Sequence, residues 1–290
     1  MEKHVIIGIG ELLWDMLPAG KQIGGAPCNF AYHAQQLGAK GKVVSAIGND
    51  TLGDEILAAL SEKKIDTQFI LRNEYPTGTV DITLDNHGIP AYAIQENVAW
   101  DFIEFTETLL ETLKKADAVC FGSLAQRSAV SRKTISKLLE ACPAECLKVF
   151  DINIRQHFYR SEIIEKSLQL SNILKLNEEE LPVVCRLFGL EGDRQEQLHQ
   201  LLRRFNLNLI AYTLGSQGSY LITPKEESYL PTPKVTVKDS VGAGDSFTAA
   251  LLTGLLQQKP LPEIHQTAVT TAAFVCTKHG AMPEYNIKLN

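Results

Sequence analysis

Along the chain, short unbroken apolar runs alternate with stretches in which apolar residues recur every three or four positions. Residues 5–10 (Val-Ile-Ile-Gly-Ile-Gly) read as a buried strand. Residues 26–37 then place Phe30, Ala31, Ala34 and Leu37 at helical spacing. The alternation repeats with a strand at 42–47 and a helix at 52–61. Further apolar runs at 118–122, 147–152 and 173–176 are each followed by a helical pattern, and 207–213 reads as another strand. Strands apolar on both faces, separated by amphipathic helices, predict a mainly parallel sheet covered on both sides.

One region breaks that rhythm. Residues 77–84 (Thr-Gly-Thr-Val-Asp-Ile-Thr-Leu) alternate polar and apolar, as a half-buried antiparallel strand does. Asp85-Asn86-His87-Gly88 reads as a turn, with 89–94 returning as the partner strand. Together with 12–23 these residues form a small sheet apart from the main one, a natural lid over a site. The expected fold class is α/β, with three layers, a mainly parallel central sheet and a small β-sheet lid. Its lid segments are about 12–23 and 76–98.

Length and composition narrow the class. A chain of 290 residues holds one large domain or two small ones. The absence of a linker, a repeat or a low-complexity tract favours one domain over residues 1–290. Hydrophobic residues are 44% and charged residues 21%, ordinary for a globular protein. With 28 Lys and Arg against 34 Asp and Glu, the net charge is −6. That excludes a broad basic face, so neither nucleic acid nor an acidic membrane surface is an expected partner. A polyanion would need a local site. No continuous apolar run reaches the length of a spanning helix, and the short run after Met1-Glu2-Lys3-His4 does not read as a secretory signal. The six cysteines are scattered, and Cys142 and Cys146, the one close pair, lack further metal-ligand neighbours. Reduced thiols in a cytoplasmic protein are the expectation.

The sharpest motif is Asp239-Ser240-Val241-Gly242-Ala243-Gly244-Asp245, running into a helical pattern with Phe247, Leu251 and Leu255 on one face. Small residues before a helix let the backbone approach a ligand, and the first-turn N–H groups bind anions. Positive potential can thus come from backbone rather than from Lys or Arg. Asp245, in the first turn, has two readings. It is either a carboxylate that favours the helix dipole or a general base beside an anion hole. Near the start of the chain, Gly24-Gly25-Ala26-Pro27-Cys28-Asn29 permits close approach of a small ligand, and Asp15 offers acceptors to neighbouring hydroxyls. An ordinary glycine turn is the competing reading there. Gly8-Ile9-Gly10 opens like a dinucleotide fingerprint, but position 13 is Leu where the third glycine belongs.

These segments resemble the ribokinase family of carbohydrate kinases, the PfkB group. The first signature runs from Gly24-Gly25 through Leu37-Gly38-Ala39 to Gly48-Asn49-Asp50 and Gly53, and 239–245 resembles the second. Between them, in the family's order, lie Asp151-Ile152-Asn153-Ile154-Arg155, Asn177-Glu178-Glu179-Glu180 and Thr213-Leu214-Gly215-Ser216-Gln217-Gly218. The last three also read as a strand end, a capping-box pattern and turn glycines. All five motifs in one order match the family, from Gly8 to about Gly280.

The resemblance implies a ribokinase-like fold and ATP-dependent phosphorylation of a sugar hydroxyl. It implies Asp245 as the base and the N–H groups of Gly242, Ala243 and Gly244 as the anion hole. Asp15, Gly24, Gly25 and Asn29 would hold the sugar, and Arg155 would sit near the sugar or the transferred phosphate. Asn177, Thr213, Gly215 and Gly218 would bind the nucleotide, with Glu180 organising Mg²⁺ through water. Asp239 and the backbone of Val241 and Gly280 resemble a monovalent cation site for K⁺. Two positions depart from the family pattern: Val241 where Thr is frequent, and Glu284 where some members carry a small hydroxyl residue. Glu11-Leu12-Leu13-Trp14-Asp15 followed by Gly24-Gly25-Ala26-Pro27 is most similar to fructokinases, which phosphorylate the 6-hydroxyl of fructose. A ribokinase or a 2-keto-3-deoxygluconate kinase is the alternative. Lys21 and Arg155 are the only obvious candidates for holding a second phosphate, which disfavours phosphosugar acceptors. Trp14, Tyr92 and Trp100 read as lid core or as a cover over the sugar. A sugar-binding regulator without catalysis and a nicotinamide dehydrogenase are the rival classes. The partners expected are ATP and a small sugar. The open edges of the lid strands suit a homodimer through the lid.

Overall fold

The computed structural model describes residues 3–17, 20–84 and 90–285. The predicted turn at Asp85-Asn86-His87-Gly88 and the side chain of Tyr92 lie outside the described residues. The first strand, β1 (Val5–Ile9), leads into the antiparallel pair β2 (Leu13–Leu17) and β3 (Gly20–Gly24), then α1 (Ala26–Gln36). Next come β4 (Lys40–Gly48), α2 (Thr51–Glu62), β5 (Ile70–Asn73), β6 (Gly78–Leu84) and β7 (Pro90–Ile94). The chain then alternates through α3 (Glu107–Leu113), β8 (Ala118–Phe121), α4 (Ala129–Ala141), β9 (Leu147–Asp151), α5 (Ser161–Leu170) and β10 (Ile173–Asn177). It continues with α6 (Glu180–Phe188), α7 (Arg194–Arg204), β11 (Leu209–Thr213), β12 (Ser219–Ile222) and β13 (Glu227–Leu230). Two long helices, α8 (Ala243–Leu256) and α9 (Leu261–Cys276), come last. None of the described helices is long and apolar enough to cross a membrane.

The large sheet has the strand order β13-β12-β11-β10-β9-β8-β1-β4-β5. Every pair from β11 to β5 is parallel, while β12 and β13 join antiparallel at one edge. Side chains alternate between its two faces, as strand geometry requires. Ile6, Ala118, Val149 and Ile173 pack under Phe30 of α1, Phe247 and Leu251 of α8 and Ile264 of α9. Ile7, Val119 and Phe150 face the opposite layer, with Ile135 and Leu138 of α4 and Leu168 of α5. This is the three-layer α/β arrangement that the alternation predicts.

The small sheet has the order β3-β2-β6-β7. β6 pairs antiparallel with β7, as its alternation suggests, but parallel with β2. Its root is pinned by Asp50. That carboxylate caps α2 by accepting from Gly53 N at 2.8 Å, and it also takes Thr77 N at 2.8 Å and Thr77 Oγ1 at 2.6 Å. Thr77 immediately precedes β6, so one carboxylate joins a core helix to the start of the lid. Trp14 Nε1 donates to Leu52 O of α2 at 3.0 Å, and Lys21 pairs with Glu55 of the same helix. These two residues therefore fasten the lid to α2; Lys21 is already committed to a carboxylate.

Candidate active site

Parallel strands end at one edge of a sheet, and that edge gathers the predicted site residues. Asp151 closes β9, Asn177 closes β10 and Thr213 closes β11. Asn177 and Thr213 are register partners, and Glu178 N donates to Thr213 O at 3.1 Å. The two family signatures, more than two hundred residues apart, meet directly: Asn29 Nδ2 of α1 donates to Asp245 Oδ2 of α8 at 2.9 Å.

Each of these helices starts on a glycine that the geometry demands. Gly25, the N-cap of α1, has φ +113, and a Cβ on it would collide with the carbonyl of Glu11. Gly242, the N-cap of α8, has φ +78, and its Cβ would lie 2.5 Å from Ala281 O. Asp245 follows in the first turn of α8. Burial lifts its carboxyl from an ordinary 3.8 to about 6. Asp151 pushes the same way, while Asn29, Lys175 and Arg155 pull it down. A carboxyl poised there is mostly ionised at pH 7 yet accepts a proton readily, which suits a general base.

The sugar-side residues lie on the other flank. Gly24 sits directly against the carboxylate of Asp15, leaving no space for a Cβ. Burial raises the Asp15 carboxyl and the charge of Arg155 lowers it, as that charge does for Asp245 and Glu11. Arg155 stands in a tight loop in which Asn153 and Gln156 both have positive φ.

On the nucleotide side, Asn177 and Glu180 form a closed local motif. Asn177 Oδ1 accepts from Glu179 N and Glu180 N at 2.9 Å each, and Glu180 accepts from Asn177 N at 2.8 Å and Ile154 N at 3.0 Å. The capping geometry is therefore present, and it ties the end of β10 to the Arg155 loop. Gly215 and Gly218 both have positive φ in the turn between β11 and β12, closed by Leu214 N to Gly218 O at 2.9 Å. Asp239 accepts from Val241 N and Gly280 N at 3.0 Å each, stapling the loop after α9 to the turn before α8.

Two residues of this site escaped the sequence reading as candidates. Glu11, immediately after the buried run of β1, is wholly buried. Burial raises its carboxyl from 4.5 to about 7, against the backbone N–H groups of Glu11 and Ala26 and the charge of Arg155, with Asp245 adding to the rise. Its Oε2 has no partner among the described residues. Lys175 lies within the apolar run 173–176 of β10. Its Nζ is 3.0 Å from Asp151 Oδ1, and a Cβ on Gly244 would come within 3.2 Å of it. Burial pulls the ammonium down in pKa, but Asp151, Glu180 and Asp245 outweigh burial and raise it. A permanent positive charge thus underlies the Gly242–Gly244 turn. This lysine adds a side-chain charge to the backbone donors that the sequence reading considers there. The usable signal was one charged residue in a run of buried apolar ones.

Other expectations resolve as structure. Trp100 is fully buried and Trp14 is 6% exposed, so both are core or lid packing. Gly8 lies against the Pro27 backbone, where any Cβ would clash, so it serves the close packing of α1 on β1. The six cysteines are free thiols.

The profile of the pfkB family carbohydrate kinase matches residues 18–287. The chain belongs to the pfkB family. As a carbohydrate kinase of that family it is an ATP-dependent sugar kinase, a phosphotransferase whose acceptor is an alcohol group. Among pfkB proteins it is 31% identical to the putative sugar kinase PH1459 of Pyrococcus horikoshii, over 96% of this chain and 91% of that protein. The crystal structure of PH1459 superposes with a TM-score of 0.82, covering 96% of this chain and 93% of that one at 30% identity. A fructokinase of Klebsiella pneumoniae is 28% identical over 94% of each chain. The fructokinase of Xylella fastidiosa, solved with bound ATP, shares the fold with a TM-score of 0.85 at 23% identity, covering 96% and 94% of the two chains.

Proposed function

We propose that this kinase transfers the γ-phosphoryl group of ATP to the 6-hydroxyl of fructose, giving fructose 6-phosphate. The observation that supports the reading is the bond from Asn29 in the first turn of α1 to the Asp245 carboxylate in the first turn of α8. In the proposed reaction Asp15, Gly24, Gly25 and Asn29 hold the sugar, and Asp245 accepts the proton of the attacking hydroxyl. The amides of Gly242, Ala243 and Gly244, backed by Lys175, hold the developing phosphate charge. Ala243 N currently meets Ser240 O at 3.3 Å, a long bond that a phosphate oxygen can replace. Arg155 adds a charge on the transferred group's path, and Thr213, Asn177, Gly215 and Gly218 line the nucleotide side.

Fructose is favoured over ribose or 2-keto-3-deoxygluconate by the fructokinases among the relatives of similar length. A phosphosugar is disfavoured because Lys21 is engaged by Glu55. No group of three metal-binding side chains occurs among the described residues. Both Glu180 oxygens already accept backbone N–H groups, leaving each a lone pair for water. That donor set fits Mg²⁺ that arrives on the phosphates and keeps its water. When bound, Mg²⁺ would neutralise phosphate charge. For K⁺, Asp239 would supply a carboxylate, and Val241 and Gly280 their backbone. We read the 290 residues as one catalytic domain, acting in the cytoplasm on the grounds of its free thiols. The outer lid strands β3 and β7 would give a second copy its docking edge.

A panel of fructose, ribose, 2-keto-3-deoxygluconate and fructose 6-phosphate, with ATP and Mg²⁺ and with or without K⁺, tests the acceptor by ADP release. Fructose is expected to give the highest kcat/KM. Asp245→Asn is expected to fold normally, bind ATP and lose at least about 100-fold in kcat. Turnover within tenfold of the parent would overturn the assignment of Asp245.

A further inference from the structure

The lid strands β6 and β7 leave and re-enter the core at one cluster. β6 starts at Gly78, which lies against the indole nitrogen of the buried Trp100. β7 hands over to Gln95, whose carbonyl accepts from Arg127 Nη2 at 2.5 Å. The same guanidinium grips Asp101 with two bonds, Nε to Oδ1 and Nη2 to Oδ2, both 2.8 Å. Its Cζ lies over two rings, 4.0 Å from the Trp100 centroid and 4.6 Å from that of Phe158. The paired side chains of Arg127 and Asp101 are only 8% and 4% exposed. Phe158 N in turn donates to Arg155 O at 3.0 Å, closing the turn that carries Arg155.

We propose that Arg127 is a positioning residue that couples the seating of the lid to the loop holding Arg155. The contacts run without a gap from Gln95 O through the guanidinium to Phe158, and from the Phe158 amide to the Arg155 carbonyl. A guanidinium is needed for this: its fork bonds Asp101 and Gln95 while its central carbon stays over the Trp100 and Phe158 rings. Lysine cannot do both. Nη1 is buried with no partner among the described residues, so both of its N–H groups are unspent in this seat of the lid. Movement at Gln95 is passed through the guanidinium to Phe158 and so to the turn that carries Arg155.

The kinetic half of the test rests on the kinase reading; the exchange half does not. Phe158→Leu removes the stack but leaves the buried ion pair. Arg127→Met combined with Asp101→Asn removes the link without stranding a buried charge. In the protein without ligands, both variants are expected to speed amide hydrogen exchange at residues 95–98 and 153–158 together, with helices α8 and α9 unchanged. In turnover, both are expected to raise the KM for the sugar at least fivefold and the ratio of sugar-free ATP hydrolysis to transfer at least threefold, with the KM for ATP within twofold. Exchange at 95–98 that ignores Phe158→Leu would overturn the coupling, as would KM values for sugar and ATP that rise in equal proportion. A parent protein that does not phosphorylate fructose, with variants that still show the linked exchange, would remove the proposed acceptor and leave the coupling in place.

Discussion

Asp245 illustrates how one carboxyl acquires a working pKa from residues that lie far away in sequence. Burial and Asp151 raise it, and the Asn29 amide, Lys175 and Arg155 hold the rise to about 6. Asn29 stabilises the ionised form through the 2.9 Å bond, so its loss must shift the equilibrium toward the protonated acid. A hydrogen bond to a charged group is worth about 1.5–3 kcal/mol, or roughly one to two pH units. Asn29→Ala is therefore expected to move the acidic limb of kcat upward by at least about one pH unit, away from its place near 6. A pH–rate profile measured from pH 5 to 9 checks this. A limb that stays put while KM for the sugar rises would mean that Asn29 binds substrate without tuning the base. Glu11 and Lys175 belong to the same electrostatic set but could not be seen as such in the sequence. A single Glu after a strand, or a single Lys within one, reads like an isolated polar residue until the fold sets Asp245, Asp151 and Arg155 around it.

At the scale of elements, the hydrophobic periodicity located the helices and strands that matter for the site, because buried parallel strands and amphipathic helices leave strong local patterns. β5, β12 and β13 were not legible: unlike the equally short but fully buried β8, they lie at or next to an edge of the sheet, and β13 (Glu-Ser-Tyr-Leu) alternates exposure with partial burial. The parallel pairing of β6 with β2 was invisible for a different reason. Register between segments some sixty residues apart is set by tertiary packing and by anchors such as Asp50, not by either segment's own alternation. Asp50 performs two tasks with two oxygens. Oδ1 caps α2 through Gly53 N and receives the Thr77 hydroxyl, while Oδ2 takes Thr77 N. Substitution separates the tasks. Asp50→Ala loses both and is expected to cost about 2 kcal/mol, the upper end for a lost cap. Asp50→Asn keeps an oxygen for the cap but sets an amide against Thr77 N–H, so it is expected to cost less stability while still raising the KM for the sugar. Denaturant midpoints read the first effect and steady-state kinetics the second. Equal stability loss in both variants, with an unchanged KM, would reduce Asp50 to a plain helix cap.

For the whole molecule, the net charge of −6 says little about how the site meets a polyanion, because the relevant charges are buried and paired locally. Those buried groups also set the pH dependence of stability, with opposite signs. His33, its ring nitrogens engaged by Ala281 O at 2.9 Å and Tyr285 Oη at 2.7 Å, is pushed by burial from 6.5 to about 4. His265, between Ser219 and Ser228, is lowered to about 4 by the same cause. A histidine with a depressed folded pKa favours the folded state above its unfolded value, and that stability is lost as pH falls from 6.5 toward 4. Glu11 and Asp245 behave oppositely. Their folded pKa values lie above the unfolded ones, so ionising them in the folded state costs stability at high pH, and the cost vanishes as pH falls. A rise from 4.5 to about 7 corresponds to about 3 kcal/mol for Glu11 alone. The protein thus pays for its active site at neutral pH and offsets acid loss from the histidines below it. Glu11→Gln cannot ionise, so it escapes that cost. Relative to the parent, its stability is expected to fall by about 3 kcal/mol between pH 8 and pH 4.5, whatever constant cost the new amide brings. Urea denaturation of both proteins across that range measures the difference directly. Parallel stability curves would mean that Glu11 is not held away from water in the folded protein, and would detach it from the electrostatics of Asp245.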